Sequence, residues 1–149
     1  MTSDDASDSC QFESDQLLLR LDVTFAAEIG AITPVVERIL ALANETSCIA
    51  GKEFEVRLAL REALTNAVIH GARQDASKMV QVTASCDQSR GILIVVRDPG
   101  QGFDPGSIPS PIEGERIFAS HGRGIFLINQ LMDEVRFKRG GTEIHMLKK

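Results

Sequence analysis

A chain of 149 residues, 43% hydrophobic and 25% charged, has the size and composition of one globular domain with a core of its own. Its formal charge of −5 argues against a general nucleic-acid binder, which needs a basic surface to replace phosphate counterions. No apolar run approaches the roughly 18 to 20 residues that cross a bilayer, and the N-terminus lacks a secretory signal, so a cytoplasmic location without membrane contact is expected.

Residues 1–16 hold Asp4, Asp5, Asp8, Glu13 and Asp15 and no Lys or Arg. Such a stretch buries too little apolar surface to offset the entropy of ordering, which predicts a disordered acidic leader before a single domain over residues 17–149. The remainder carries 16 acidic and 16 basic residues and is formally neutral. Residues 17–25 are β-prone and partly alternating, a first strand. Over 26–44 the apolar residues Ile29, Ile32, Val36, Ile39, Leu40 and Ala43 recur at helical spacing, with Pro34 in the first turn and Thr33 as a possible N-cap.

A second helix is predicted over 52–70, with Val56, Ala59, Leu60, Ala63, Leu64 and Ala67 as its apolar face and Gly71 as a stop. Residues 80–86 alternate as a half-buried strand. After a turn at 89–91, residues 92–96 are continuously apolar, as in a strand at the centre of a sheet. Residues 98–111 hold four prolines and three glycines and read as a loop. A helix over 125–132 follows Gly122 and Gly124, and strands over 134–139 and 142–147 meet at Gly140-Gly141. Strands in hairpin-like pairs predict an α+β two-layer sandwich, a mixed, mostly antiparallel sheet with helices on one face. The three cysteines, Cys10, Cys48 and Cys86, are odd in number and lack metal-ligand spacing, so neither a disulfide framework nor a zinc site is expected, and Cys86 reads as a small core residue.

Three elements carry chemistry. Glu62, Asn66 and His70 stand at i, i+4 and i+8, so one helical stripe presents a carboxylate, a carboxamide and an imidazole. A carboxylate can polarise a hydroxyl and an amide oxygen can ligand Mg²⁺, although a polar stripe also reads as a solvated face and His70 as a structural residue. Directly after the apolar strand comes Asp98-Pro99-Gly100-Gln101-Gly102-Phe103, in which the glycines permit close backbone approach and Asp98 can accept a hydrogen bond from an exocyclic amine; the plain alternative is a tight turn. His121-Gly122-Arg123-Gly124 opens the next helix, where free N–H groups and the helix dipole favour an anion. Neither glycine pair completes a P-loop or a dinucleotide fingerprint.

In this order, Glu62-x-x-x-Asn66-Ala67-x-x-His70, Asp98-x-Gly100-x-Gly102-Phe103, Gly122-x-Gly124 and a late Thr142 resemble the ATP-binding fold of DNA gyrase, heat-shock chaperones, histidine kinases and MutL. Within it, residues 62–71 and 122–135 are most similar to bacterial anti-sigma-factor serine/threonine kinases. The resemblance implies ATP and Mg²⁺ as cofactors, Glu62 as the base that activates an acceptor serine, and Asn66 as the Mg²⁺ ligand. It also implies Asp98 as the reader of adenine, Gly100 and Gly102 beside base and sugar, Thr142 in support of Asp98, and Gly122 and Gly124 at the phosphates below a lid over about 105–121. Arg123 and Arg116 are the nearby cations; some relatives carry an arginine where this chain has Ser120 and His121. The implied partners are a sigma factor, an anti-sigma-factor antagonist phosphorylated on serine, and a second copy of the chain, with no direct nucleic-acid contact. An ATP-binding partner-switching module without kinase activity and a detached histidine-kinase catalytic domain are the alternatives.

Overall fold

The computed structural model describes residues 17–87, 89–100 and 123–149. The leader at 1–16 and the lid at 105–121, with Gly102, Arg116, Ser120, His121 and Gly122, lie outside these residues. The described strands are β1 (Leu17–Ala26), β2 (Met79–Asp87), β3 (Gly91–Arg97), β4 (Glu134–Lys138) and β5 (Glu143–Lys148), in the sheet order β1-β2-β3-β5-β4. All four strand pairs are antiparallel, so the mixed element of the predicted sheet is not found among the described residues. The continuously apolar β3 is indeed the middle strand.

Helices α1 (Ile32–Glu45) and α2 (Glu53–Asn66), with α3 over residues 123–131, cover one face. The reason is the match of two periods. Every second residue of the strands points inward, giving Val23, Phe25, Val80, Val82, Ala84, Ile92, Ile94, Val96, Ile144 and Met146. Helical spacing places Val36, Ile39, Leu40 and Ala43 of α1 and Val56, Ala59, Leu60, Ala63 and Leu64 of α2 against them. Ile128 and Met132 close the core from α3 and its end. No described helix is long and apolar enough to cross a membrane.

Two local expectations change. A 3-10 turn at Ile29–Ala31 precedes α1, so the helix begins before Thr33, and Ala31 occupies the N-cap without a side-chain bond. Thr33 lies inside the first turn and its Oγ1 accepts a bond of 3.0 Å from Arg61 Nη1, which ties α1 to α2. Cys86 is a core residue, as expected, but it is also joined to Cys48 as a disulfide with Cα atoms 6.0 Å apart. The expectation that the cysteines form no crosslink fails because residues 38 apart in sequence meet in space.

On the opposite sheet face lies a polar cluster. Glu143, 4% exposed, accepts from Arg97 Nε at 2.6 Å, lies 2.6 Å from His145 Nε2 and forms an ion pair at 3.3 Å with Arg139. Burial raises the pKa of Glu143, but the bonds from His145 and Arg97 outweigh it and hold the carboxyl below its ordinary value.

Candidate functional site

The helical layer and the sheet part at one end and leave a cavity of about 470 Å³. Its walls come from the end of α2, the segment after β3, the start of α3 and the turn before β5. Asn66, His70, Gly71, Asp98, Gly100 and Thr142 all line it, so the helix motif and the strand-end motif, remote in sequence, meet in one place.

The end of α2 is irregular in a way that matters. After Asn66 the backbone makes a π-turn, Ala67–Gly71, in which Ala72 N–H donates to Ala67 O at 2.8 Å. One extra residue in the turn breaks the straight i, i+4, i+8 stripe. Asn66 and His70 both reach the cavity, whereas Glu62 lies one helical turn earlier and is not part of its wall. Burial lowers the pKa of His70, so the imidazole is neutral near pH 7.

Asp98 is held by close packing of two glycines. A Cβ on Gly71 would fall 2.6 Å from both Cβ and Oδ1 of Asp98, and one on Gly100 would fall 2.9 Å from Asp98 Oδ1 and 3.0 Å from the Gly71 carbonyl carbon. No larger residue fits either position without displacing the carboxylate. Gly100 N–H donates to Asp98 Oδ1 at 2.8 Å, and Asp98 N–H donates to Thr142 O at 2.9 Å. One carboxylate oxygen is thus occupied and the side chain has a set direction. Burial raises the pKa of Asp98 above the ordinary carboxylate value, partly offset by the Gly100 bond. The carboxylate remains an acceptor suited to an amine in a low-dielectric wall.

The lining also includes the apolar side chains of Val96, Phe137, Ile144 and Ile125, which offer a surface to a flat aromatic base. Gly124 backs Asn66, since a Cβ there would approach the carboxamide nitrogen to 3.2 Å and its oxygen to 3.4 Å. Arg123 is exposed at the first described position of α3 and is not part of the wall. The Thr142 hydroxyl donates to Arg139 O at 2.8 Å, which leaves its lone pairs toward acceptance only.

The donor set suits a magnesium nucleotide. Asn66 would offer a neutral carboxamide oxygen, a ligand type that Mg²⁺ accepts alongside substrate phosphates and waters. Among the described residues no group of three or more His, Cys, Asp or Glu gathers to hold an ion by protein groups alone.

Sequence reasoning missed Arg73 and Lys78, cations of the cavity wall on the turn between the π-turn and β2. Arg73 and Gln74 both adopt left-handed backbone (φ 54° and 57°), and neither Gly nor Asn marks the place. Gly71 both ends the helix, as its sequence position predicts, and makes room for Asp98.

A family model described as histidine kinase-like ATPase domain matches residues 25–148. Among curated proteins, the chain is 35% identical over 100 residues to a protein named serine-protein kinase RsbW from Staphylococcus epidermidis, covering 62% of each chain. It is 32% identical over 102 residues to the protein of the same name from Staphylococcus aureus strain Newman, covering 63% of this chain and 64% of the relative. The matched region thus spans somewhat under two thirds of these relatives' length.

Proposed function

The chain belongs to the histidine kinase-like ATPase domain family, and on that premise we propose that it is an ATP-dependent serine/threonine protein kinase acting as an anti-sigma regulatory factor. The observation that carries this reading is one cavity lined both by an adenine-type acceptor, Asp98 seated between Gly71 and Gly100, and by Asn66 backed by Gly124. An adenine amine donates to Asp98 while the base lies on Val96, Phe137 and Ile144. The triphosphate then runs toward Asn66 and the start of α3, whose dipole favours the anion. When bound, Mg²⁺ neutralises charge on the phosphates, and Asn66 is the residue that would hold it.

Glu62 stands one turn before Asn66, about 6 Å along the helix axis. Glu62 is not among the lining residues of the cavity, and in this reading it takes the serine proton as the Oγ–P bond forms and ADP leaves. Phosphoryl transfer depends on such positioning more than on covalent chemistry. The acceptor is a serine of an anti-sigma-factor antagonist; in the resting complex a sigma factor is held instead, and the working unit is a homodimer in the cytoplasm. The position of Glu62 off the cavity wall favours one rival, an ATP-binding partner-switching module that transfers no phosphate.

Labelled ATP, Mg²⁺ and candidate serine-bearing antagonists separate the two. A kinase puts label on serine, and Glu62→Gln lowers that rate by about 10²- to 10⁴-fold with ATP affinity kept. Tight ATP binding without label transfer to any antagonist that the protein binds supports the module. Absence of ATP binding by the unaltered protein overturns both.

A further inference from the structure

The Cys48–Cys86 pair lies outside the nucleotide cavity and has no part in the proposed transfer. Cys86 is on β2, 0% exposed, in register with Leu19 of β1 and Ile92 of β3. Cys48 is half-buried in the corner between α1 and α2. Their Cα separation of 6.0 Å lies in the range that a disulfide bridges without backbone movement. The two thiols are thus unequal: one is reached from solvent, the other waits behind it.

The corner itself is a chain of turns. Thr46 Oγ1 donates to Ala43 O at 2.8 Å, Ser47 takes a left-handed backbone (φ 61°), and Lys52 N–H donates to Ile49 O at 2.8 Å. Ile49, 0% exposed, is the corner's apolar plug. Cys48 Sγ also lies 3.9 Å from Ala43 O, the carbonyl that already receives Thr46 Oγ1, so an acceptor is at hand for the reduced Cys48 thiol once side-chain rotation separates the two sulfurs. Both redox states are therefore compatible with one backbone.

We propose that Cys48 and Cys86 are a reversible thiol–disulfide site, written and erased by small-molecule disulfides and thiols, that sets how firmly the α1–α2 corner is clasped to the sheet. In the forward direction the Cys48 thiolate, its proton given to solvent, attacks one sulfur of a small disulfide RSSR and expels RS⁻, forming a mixed disulfide. Cys86, deprotonated in turn, attacks the Cys48 sulfur and expels the second RS⁻. The protein loses two thiol hydrogens and two electrons, and RSSR becomes two RSH. Excess small thiol runs the same steps backward from Cys48, the accessible sulfur. The clasp joins the sheet to the segment that leads into α2, and none of residues 44–52 lines the cavity, so its direct effect is on the corner.

The test uses the full chain with Cys10→Ser, which removes the third thiol, equilibrated in native buffer over a series of oxidised-to-reduced glutathione ratios. Peptide mapping should find a Cys48–Cys86 crosslink with the loss of two hydrogens, and dithiothreitol should release both thiols from the folded protein. Amide exchange over residues 46–52 should be roughly tenfold slower in the oxidised form. Cys48→Ser, at a half-buried turn position, should keep the fold and show exchange that no longer responds to glutathione ratio. Three results would each overturn the proposal: glutathione stalled on Cys48 as a mixed disulfide, two free thiols at every ratio, or a crosslink that dithiothreitol opens only after the protein is unfolded.

Discussion

Replacing Asp98 by Asn alters one atom of the carboxylate and keeps its shape. Because Gly100 N–H already binds Oδ1 at 2.8 Å, the carboxamide introduced by Asp98→Asn must keep its oxygen there and turn its NH₂ toward the cavity. A donor then faces the donor amine of adenine. The charge-assisted bond to the nucleotide is lost, and such bonds contribute about 1.5–3 kcal/mol. With the mismatch added, the loss falls at about 2–3 kcal/mol, a roughly 30- to 150-fold weaker affinity for ATP. The apo protein should not be destabilised. Burial raises the folded pKa of Asp98, so the ionised residue opposes folding above that pKa, and Asn removes the opposition. Calorimetric titration with ATP and GTP, beside urea unfolding of the apo protein, measures both. Guanine carries an acceptor where adenine carries the amine, so the preference for ATP over GTP should narrow in Asp98→Asn. An Asp98→Asn protein that folds normally and binds ATP within about threefold of the unaltered chain refutes the assignment of Asp98 to the base.

Acid should weaken ATP binding through the same group: the elevated pKa of Asp98 makes affinity fall at a higher pH than an ordinary aspartate would, and Asp98→Asn should lose that limb of the profile. Gly71→Ala sets a methyl 2.6 Å from Asp98 Oδ1, and urea unfolding should show a loss of about 1–3 kcal/mol together with weaker ATP binding. Leu60, 0% exposed at the centre of the α2 face, should cost about 2–5 kcal/mol as Leu60→Ala while the nucleotide affinity of the folded fraction is kept. Glu143 has a folded pKa below its ordinary 4.5, so its contribution to stability is present above that value and is lost as pH falls through the folded pKa. The acid slope of the urea midpoint should therefore flatten in Glu143→Gln.

Much of the α+β sandwich was legible because its physics is periodic. Alternation over 80–86 and the helical recurrence of Val56, Leu60 and Leu64 depend on nearest neighbours in sequence. What escaped depends on tertiary partners. Thr33 looked like a cap until an earlier 3-10 turn took the helix start and Arg61 took its hydroxyl. The π-turn at Ala67–Gly71 has no composition of its own, since a shift from i+4 to i+5 bonding leaves no mark on side-chain identity. Gly71 offered a true signal, but closeness to Asp98 is invisible until the helix end meets the strand end. Cys48 and Cys86 likewise declare themselves a pair only in three dimensions.

The placement of β5 between β3 and β4 bears on how the molecule assembles. The edge strand β4 precedes in sequence the interior strand that attaches it, so the two are placed to pair as a local hairpin that docks on β3 as a unit. Their docking pairs residues about 50 apart, such as Ile94 with Met146, and non-local pairing of this kind is slow. The bond from Asp98 N–H to Thr142 O forms at that same moment. Recovery of nucleotide binding after dilution from denaturant should therefore lag the return of helical signal, and ligand occupancy becomes a clock for the last step of folding.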